Sequence, residues 1–356
     1  GKDAGGNVVP ITPALSWSVV GSGGTINGSS GLFTADTTLG TFTNTVEATS
    51  GLIVGHATVT VIAGPLATIT VSPDPATVPT SLTQAFTAVG TDAAGHVVPI
   101  VPALSWSVVA GGGSIDAGTG LFTAGTTLGT FTNTVRAISG SISGFATVTV
   151  TLNLGSAATF AALGGAGASS CTGASTIGGD VGVDAGGTIS GFPTPCVISA
   201  PGVGPPHVGD ATAIAAQADV TTAYTSLAGM ACTQDLTGQD LGTKTLTPGV
   251  YCFSTSAQLT GTLTLSGSAT DVWVFQIGST LGAAAGSIVT LSGANAGNVY
   301  WQVGSSATIN GGSAWQGNIL AQASVTLVSG TTLTGRALAR TGAVTLDTDT
   351  ITLPVP

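Results

Sequence analysis

Charge is the scarcest property of this sequence. Only 6% of its residues are charged, and five Lys and Arg stand against 15 acidic residues, a formal net charge of −10. So few cations leave no basic groove for nucleic acid and no patch for an anionic membrane surface. No apolar run approaches the ~20 residues of a membrane span, so no membrane insertion is expected. No signal peptide is visible, and the sequence is expected to be mature or cut. There is no C-x-x-C spacing to suggest zinc or a redox pair, and no G-x-S-x-G, H-E-x-x-H, Walker loop or G-x-G-x-x-G. No cofactor and no catalytic residues are expected. His56, His96 and His207 are read as surface residues without special role, and Asp347 and Asp349 lack the third carboxylate of a metal site. Asn27-Gly-Ser is a formal glycosylation sequon without supporting context.

What the sequence does have is 55 Gly and 43% hydrophobic residues spread in alternating pattern. Such a chain can build cores and is not disordered; it is expected to be all-β with many tight turns. The cysteines Cys171, Cys196, Cys232 and Cys252 all fall in the second half. They allow three pairings. The sequence-neighbour pairing, Cys171–Cys196 and Cys232–Cys252, closes two short loops and is the expectation, with roughly 3 kcal/mol from each bridge. Two bridges imply an oxidising compartment, so an extracellular protein, secreted or surface-attached, is expected.

Residues 1 to 152 repeat themselves. Pro10-Ile-Thr-Pro-Ala-Leu-Ser-Trp-Ser-Val-Val returns as Pro99-Ile-Val-Pro-Ala-Leu-Ser-Trp-Ser-Val-Val, and Gly40-Thr-Phe-Thr-Asn-Thr-Val returns at Gly129, both at an offset of 89. A unit this long with period-2 strands reads as a β-sandwich, with Trp17 and Trp106 as the buried core tryptophans of the two copies. The flanks Leu-Ser-Trp-Ser-Val and Ala-Thr-Val-Thr-Val resemble the bacterial Ig-like domains that serve as stalks in surface proteins. Domains are therefore expected at 1–62, N-terminally incomplete, and 63–152. The first copy has no counterpart of residues 64 to 89, which implies a fragment of a longer array. Further modules of this kind, or a neighbouring chain, would complete residues 1–62.

The vocabulary changes at Asn153, where a domain running to residue 356 is expected. An irregular loop with five prolines occupies 192–209. It precedes the one clear helical stretch, from Asp210 as N-cap to Leu227, with Gly229 after its end and Ala213, Ala216, Val220, Tyr224 and Leu227 on one face. From Thr243 to Leu353 a short phrase recurs, each time followed by two Thr-rich segments. The registers Thr308, Thr326 and Thr345 lie 18 and 19 residues apart. That is one coil of three strands and three turns, the mark of a β-solenoid. In Val272–Ile277 the residues Trp273, Phe275 and Ile277 are expected to point inward. The outward positions Val274, Tyr300, Leu320 and Leu338 would form an apolar strip for the helix. Arg336 and Arg340 are read as capping the end of the stack.

Threonine recurs facing outward. In the last strand of successive coils Ile177, Leu263, Val289, Trp315, Leu333 and Ile351 are expected inward. They are flanked by the outward pairs Thr176 and Gly178, Thr262 and Thr264, Ile288 and Thr290, Ala314 and Gln316, Thr332 and Thr334, Thr350 and Thr352. Stacked strands lie about 4.8 Å apart and alternate residues about 6.8 Å apart, so these side chains would make a flat two-column grid. Thr is stiff at χ1, so the grid is preorganised. It bears methyls and hydroxyls without charge, and can hold water in a regular lattice. A second ladder, Thr188, Thr280, Thr308, Thr326 and Thr345, broken by Gln258, Val328 and Asp347, ranks behind it.

Leu154-Gly-Ser-Ala-Ala-Thr-Phe, Gly179-Asp-Val-Gly-Val, Asp235-Leu-Thr-Gly-Gln-Asp-Leu-Gly, Leu246-Thr-Pro-Gly-Val-Tyr, Val272-Trp-Val-Phe-Gln-Ile-Gly, Val299-Tyr-Trp-Gln-Val-Gly and Gly335-Arg-Ala-Leu-Ala-Arg closely resemble the microbial ice-binding protein family. The resemblance covers about residues 153 to 353. It implies a discontinuous three-faced β-solenoid with a helix alongside, a capping region between early and late coils, and adsorption to an ice surface through one flat face. That face would bear T-A/G-x-T/N-like motifs, echoed by Thr172-Gly-Ala-Ser, Asn310-Gly-Gly-Ser and Ser329-Gly-Thr-Thr. Ice is also the ligand that the threonine grid fits. Ice-binding residues are thus expected at Thr176, Thr262, Thr264, Thr290, Thr332, Thr334, Thr350 and Thr352. The rival reading is a structural subunit of an extracellular fibre or adhesin.

Overall fold

A computed structural model describes residues 1–202 and 204–355. Val203, within the loop expected at 192–209, lies outside the described residues. Two compact units are present. The first holds Gly1–Ser72, Thr87–Trp106 and Arg136–Phe145, and the second holds Pro73–Phe86, Ser107–Val135 and Ala146 onward.

In the first unit Ser16–Val19, Gly40–Ser50 and Ile53–Val61 form an antiparallel sheet, and Gly24–Ile26 pairs with Phe33–Ala35 as a hairpin. Thr68–Ser72, Thr87–Thr91 and Val97–Val98 make a second antiparallel sheet. The turn after Thr91 is fixed by Asp92, whose carboxylate accepts from the backbone of Gly64, Ala94 and His96 and meets the His96 ring at 2.9 Å. That ring bond, more than any other, holds the Asp92 carboxyl well below the usual carboxylate range and raises His96. His96 is thus a structural latch, whose Nε2 lies 2.5 Å from the Thr37 carbonyl oxygen. Trp106 is buried as expected. Trp17 is only half-buried, a correction: its repeat leaves Phe33 and Val59 half-buried and Ala57 exposed, where Phe122, Val148 and Ala146 of the other are buried.

The second unit contains a three-faced β-solenoid. One seven-stranded parallel sheet makes one face, and a fifteen-stranded sheet wraps the other two. The strands Ala314–Ala321 and Thr332–Ala339 turn the corner between those two faces at Gly317 and Gly335, with φ of 106° and 155°. A Cβ on Gly335 would fall 1.9 Å from the Gly317 carbonyl oxygen, so adjacent coils can stack at this corner only without side chains.

The stack is discontinuous in sequence. Phe160–Gly164, Ala168–Thr172 and Thr176–Gly178 form an early coil, the chain leaves through the helix Ala211–Ala228, and the later coils climb from Gln234. The last strand, Thr350–Thr352, closes the gap, pairing with Thr332–Thr334 on one side and Thr176–Gly178 on the other.

The interior is filled by Leu, Val, Ile and a column of aromatic rings. Tyr251 stacks on Phe275 at 5.5 Å, Phe275 on Trp301 at 4.0 Å, and Trp301 meets Trp315 at 4.7 Å. Trp273, Phe275 and Ile277 do point inward, and Val274 points out to the helix. The helix begins at the Asp210 cap, which accepts from Ala213 N at 2.9 Å, and ends at Gly229. It buries Ala213, Ala216, Val220, Tyr224 and Leu227. Polar contacts fix its angle. Gln217 Nε2 donates to the carbonyls of Ala339 and Arg340, and Gln276 Nε2 donates to those of Leu227 and Met230, satisfying the helix end.

Two expectations about this face need correction. Leu320 and Leu338 do pack under the helix with Val274 and Tyr300, but they stand one column over, because Tyr300 is paired with Asn318 and Gln302 with Leu320. Arg336 and Arg340 do not cap the stack. Arg336 reaches the Ala158 carbonyl and Asn318 Oδ1, and Arg340 lies 4.5 Å over the Tyr224 ring, so both hold segments against this face. Each guanidinium is more useful at a buried carbonyl or ring face than at an end that water already solvates.

Candidate functional site

Of the two faces without the helix, one carries the expected grid. Its registers carry from coil to coil, through the single pair Ile288–Ala314 where Ile288–Ser292 meets Ala314–Ala321. The first column reads Thr262, Ile288, Ala314, Thr332, Thr350, Thr176, Val197. The second reads Thr245, Thr264, Thr290, Gln316, Thr334, Thr352, Gly178, Ser199. All eight threonines singled out from sequence therefore stand in these two columns. Thr264 and Thr334 are half-buried between their neighbours and the other six are exposed. Thr245, Val197 and Ser199 extend the columns beyond what sequence reasoning reached, because their strands lack the full coil pattern. No charged residue interrupts either column.

The grid is level because of what lies beneath it. Leu263, Val289, Trp315, Leu333, Ile351 and Ile177 fill the positions between the two columns, all facing inward and none more than 2% exposed. A second row of buried groups sits along its leading corner: Ser287, Ser313, Thr331, Asp349 and Ser175. Ser287 Oγ donates to the Leu259 carbonyl, Ser313 Oγ to Asn310 and Ala284, Thr331 Oγ1 to Val328, and Ser175 Oγ receives the Asp349 N–H at 2.9 Å. These bonds give the turn carbonyls and the Asp349 N–H a side-chain partner within the corner, and they fix where each strand of the grid begins.

The motif phrases Asn310-Gly-Gly-Ser313 and Thr172-Gly-Ala-Ser175 lead into the grid, and each ends in a buried hydroxyl at this corner. The equivalent phrase in the next coil is Val328-Ser-Gly-Thr331, one residue earlier than the Ser329 start, since Ala314 pairs with Thr332. The four-residue phrase builds the turn that leads into the grid.

Asp349 breaks the hydroxyl row with a carboxylate. Its Oδ1 accepts from Thr331 N at 3.0 Å and its Oδ2 from Asp347 N at 2.7 Å, yet burial pushes its carboxyl up to about 6. Its partners are backbone N–H groups, so it serves the turn. Among the described residues no three His, Cys, Asp or Glu side chains come together in a way that could hold a metal.

The remaining face is less regular than the sequence suggested. Its middle column reads Gln258, Gly282, Thr308, Thr326, Thr345, Ser170, Ser190. Thr280 and Thr188 belong one column earlier, Thr280 with its hydroxyl 2.8 Å from that of Ser256 and Thr188 opposite Ala168. The supposed single ladder of five threonines is thus two partial ones. Cys171 is bonded to Cys196 and Cys232 to Cys252. The first ties the early coil to the loop before Val197, and the second ties the exit of the helix to the strand Gly249–Phe253.

A parallel three-faced stack closed by its own last strand, with a helix on one face and an uncharged flat face left open, defines a class of solenoid. Residues 162–352 match the Ice-binding-like family. An ice-binding protein of Nostoc sp. (strain HG1) is 47% identical over 201 residues, covering 56% of this chain and 72% of that protein. Another, of Flavobacterium frigoris (strain PS1), is 37% identical over 115 residues, 32% of this chain and 41% of that one. The solved ice-binding protein of the Antarctic ascomycete Antarctomyces psychrotrophicus superposes with a TM-score of 0.54 at 39% identity, covering 58% of this chain and 100% of that one. The chain belongs to the Ice-binding-like family.

Proposed function

We propose that this protein binds ice through the two-column threonine face, and acts by adsorption without catalysis. The observation that carries the reading is the register of that face: outward Thr side chains stand in line across coils that the interior holds at fixed spacing. Each hydroxyl can donate and accept, and each methyl excludes water between hydroxyls, so the face can order water at the strand repeat. Relatives named as ice-binding proteins support the ligand. The bonded cysteine pairs support an oxidising, extracellular location. The chain is organised as two Ig-like modules, 1–62 and 63–152, that carry the ice-binding domain 153–356 as a stalk.

The test is thermal hysteresis and ice-recrystallisation inhibition by the whole chain. The double variant Thr332→Tyr, Thr350→Tyr is expected to lose both while keeping its melting temperature, because surface substitutions usually change stability by within about 0.5 kcal/mol. Retained activity would move the site to the face carrying Thr308 and Thr326.

A further inference from the structure

One outward column of the helix-covered face changes character along its length. Across six paired strands it reads Asp235, Cys252, Gln276, Gln302, Leu320, Leu338. The two leucines are buried under the helix. The other four line a cleft of about 510 Å³, together with Tyr224 of the helix and Cys232.

Gln302 is the unusual member. It is only 6% exposed, yet neither its amide nitrogen nor its amide oxygen makes a hydrogen bond to another described residue. Gln276, one strand away, uses Nε2 on the Leu227 and Met230 carbonyls that end the helix. Its Oε1 lies 3.2 Å from Cys252 Sγ, which is bonded to Cys232 and has no proton to give. Hydrogen bonds from Thr237 hold the Asp235 carboxyl below its ordinary value, so it is ionised at neutral pH. Tyr224 Oη donates to the Val303 carbonyl at 3.3 Å and keeps its lone pairs.

The cleft thus presents several acceptors and one free amide donor, spaced along a column whose strands lie about 4.8 Å apart. None of the residues lining it is Lys or Arg, which disfavours an anionic ligand. A buried amide without a partner is costly, and a hydroxyl can satisfy either half of it because it both donates and accepts. The Cys232–Cys252 bridge adds an apolar surface for ring C–H groups.

We propose that this cleft binds a neutral polyhydroxylated ring, a saccharide unit, with Gln302 as its central contact. The Gln302 amide bridges two ligand hydroxyls, and Asp235 and Gln276 Oε1 accept from others. The site lies on the helix side of the solenoid and does not depend on the threonine grid.

Glucose, galactose, mannose and their methyl glycosides, titrated into the full chain, test this. Expected are shifts of the Gln302 side-chain amide and of the Gly278 and Gly304 backbone signals, with a dissociation constant on the order of 1 mM. Gln302→Leu continues the column's own leucines. It is expected to keep the melting temperature and thermal hysteresis, and to bind at least about tenfold more weakly. Binding of a glycoside as well as its free sugar supports the end unit of a glycan, and binding of the free sugar alone supports a monosaccharide. Absence of any shift, or equal affinity of Gln302→Leu, overturns the proposal. So does a response confined to methylammonium that Asp235→Asn abolishes, which would make the cleft a cation site.

Discussion

The helix-covered face and the threonine face of the solenoid are joined within two strands, Ala314–Ala321 and Thr332–Ala339. Thr332–Ala339 begins on one and ends on the other: Thr332 stands in solvent, while six residues on Leu338 is fully buried beneath the helix. Backbone, spacing and register are shared, so only side chains decide which face finds a protein partner and which stays bare. Apolar residues at Val274, Tyr300, Leu320 and Leu338 gain free energy by leaving water and draw the helix in. Threonine at the corresponding outward places gains little by burial and keeps its hydroxyl for solvent. A flat sheet face thus escapes both aggregation and occupation by its own chain without using charge.

Substitutions on opposite halves of one strand break this comparison most strongly. Leu338→Asp places an unpaired charge under the helix and is expected to cost at least about 3 kcal/mol, read as a large fall in melting temperature. Thr332→Asp, six residues away, is expected to leave the fold intact and abolish thermal hysteresis. Loss of folding in both would show that the threonine face is structural.

Asp349 sharpens the comparison at the corner. Its folded carboxyl is raised from 3.8 to about 6, so its contribution is fully present below 3.8 and is lost as pH rises through 6. Wild type is expected to lose stability relative to Asp349→Asn between pH 4 and pH 7. A shift of roughly two units corresponds to about 3 kcal/mol, measurable as the difference in melting temperature across that range. The smallest effect is expected from Gln316→Thr. It would join Thr264 and Thr290 to Thr334 and Thr352 in an unbroken column, raising hysteresis modestly with no change in stability.

Much of this was legible because period-2 alternation is local. The pairs flanking Leu333 or Ile351, the inward Trp273 and Phe275, and the helix from its Asp210 cap to Gly229 all follow from residues within a few positions of one another. What escaped has non-local causes. Alternation says which way a side chain faces, but only turn lengths say which coil position it meets, so Leu320 and Thr280 were placed one column wrong. The Ser175 and Ser313 hydroxyls sit at the end of short turns with no period, and nothing in sequence tells a buried turn hydroxyl from an exposed one. Arg336 and Arg340 were misread because the Ala158 carbonyl and the Tyr224 ring they meet lie far away in the chain. Trp17 has the same neighbours in sequence as Trp106 yet is less buried, a difference that no local pattern carries.

Thr350–Thr352 decides whether the threonine columns form one surface or two. Because that strand sits between coils contributed by residues 332–334 and 176–178, the two columns become continuous only once segments far apart in the chain have come together. The level surface is therefore a product of the completed fold, and displacing that one short strand would split it into two separate patches.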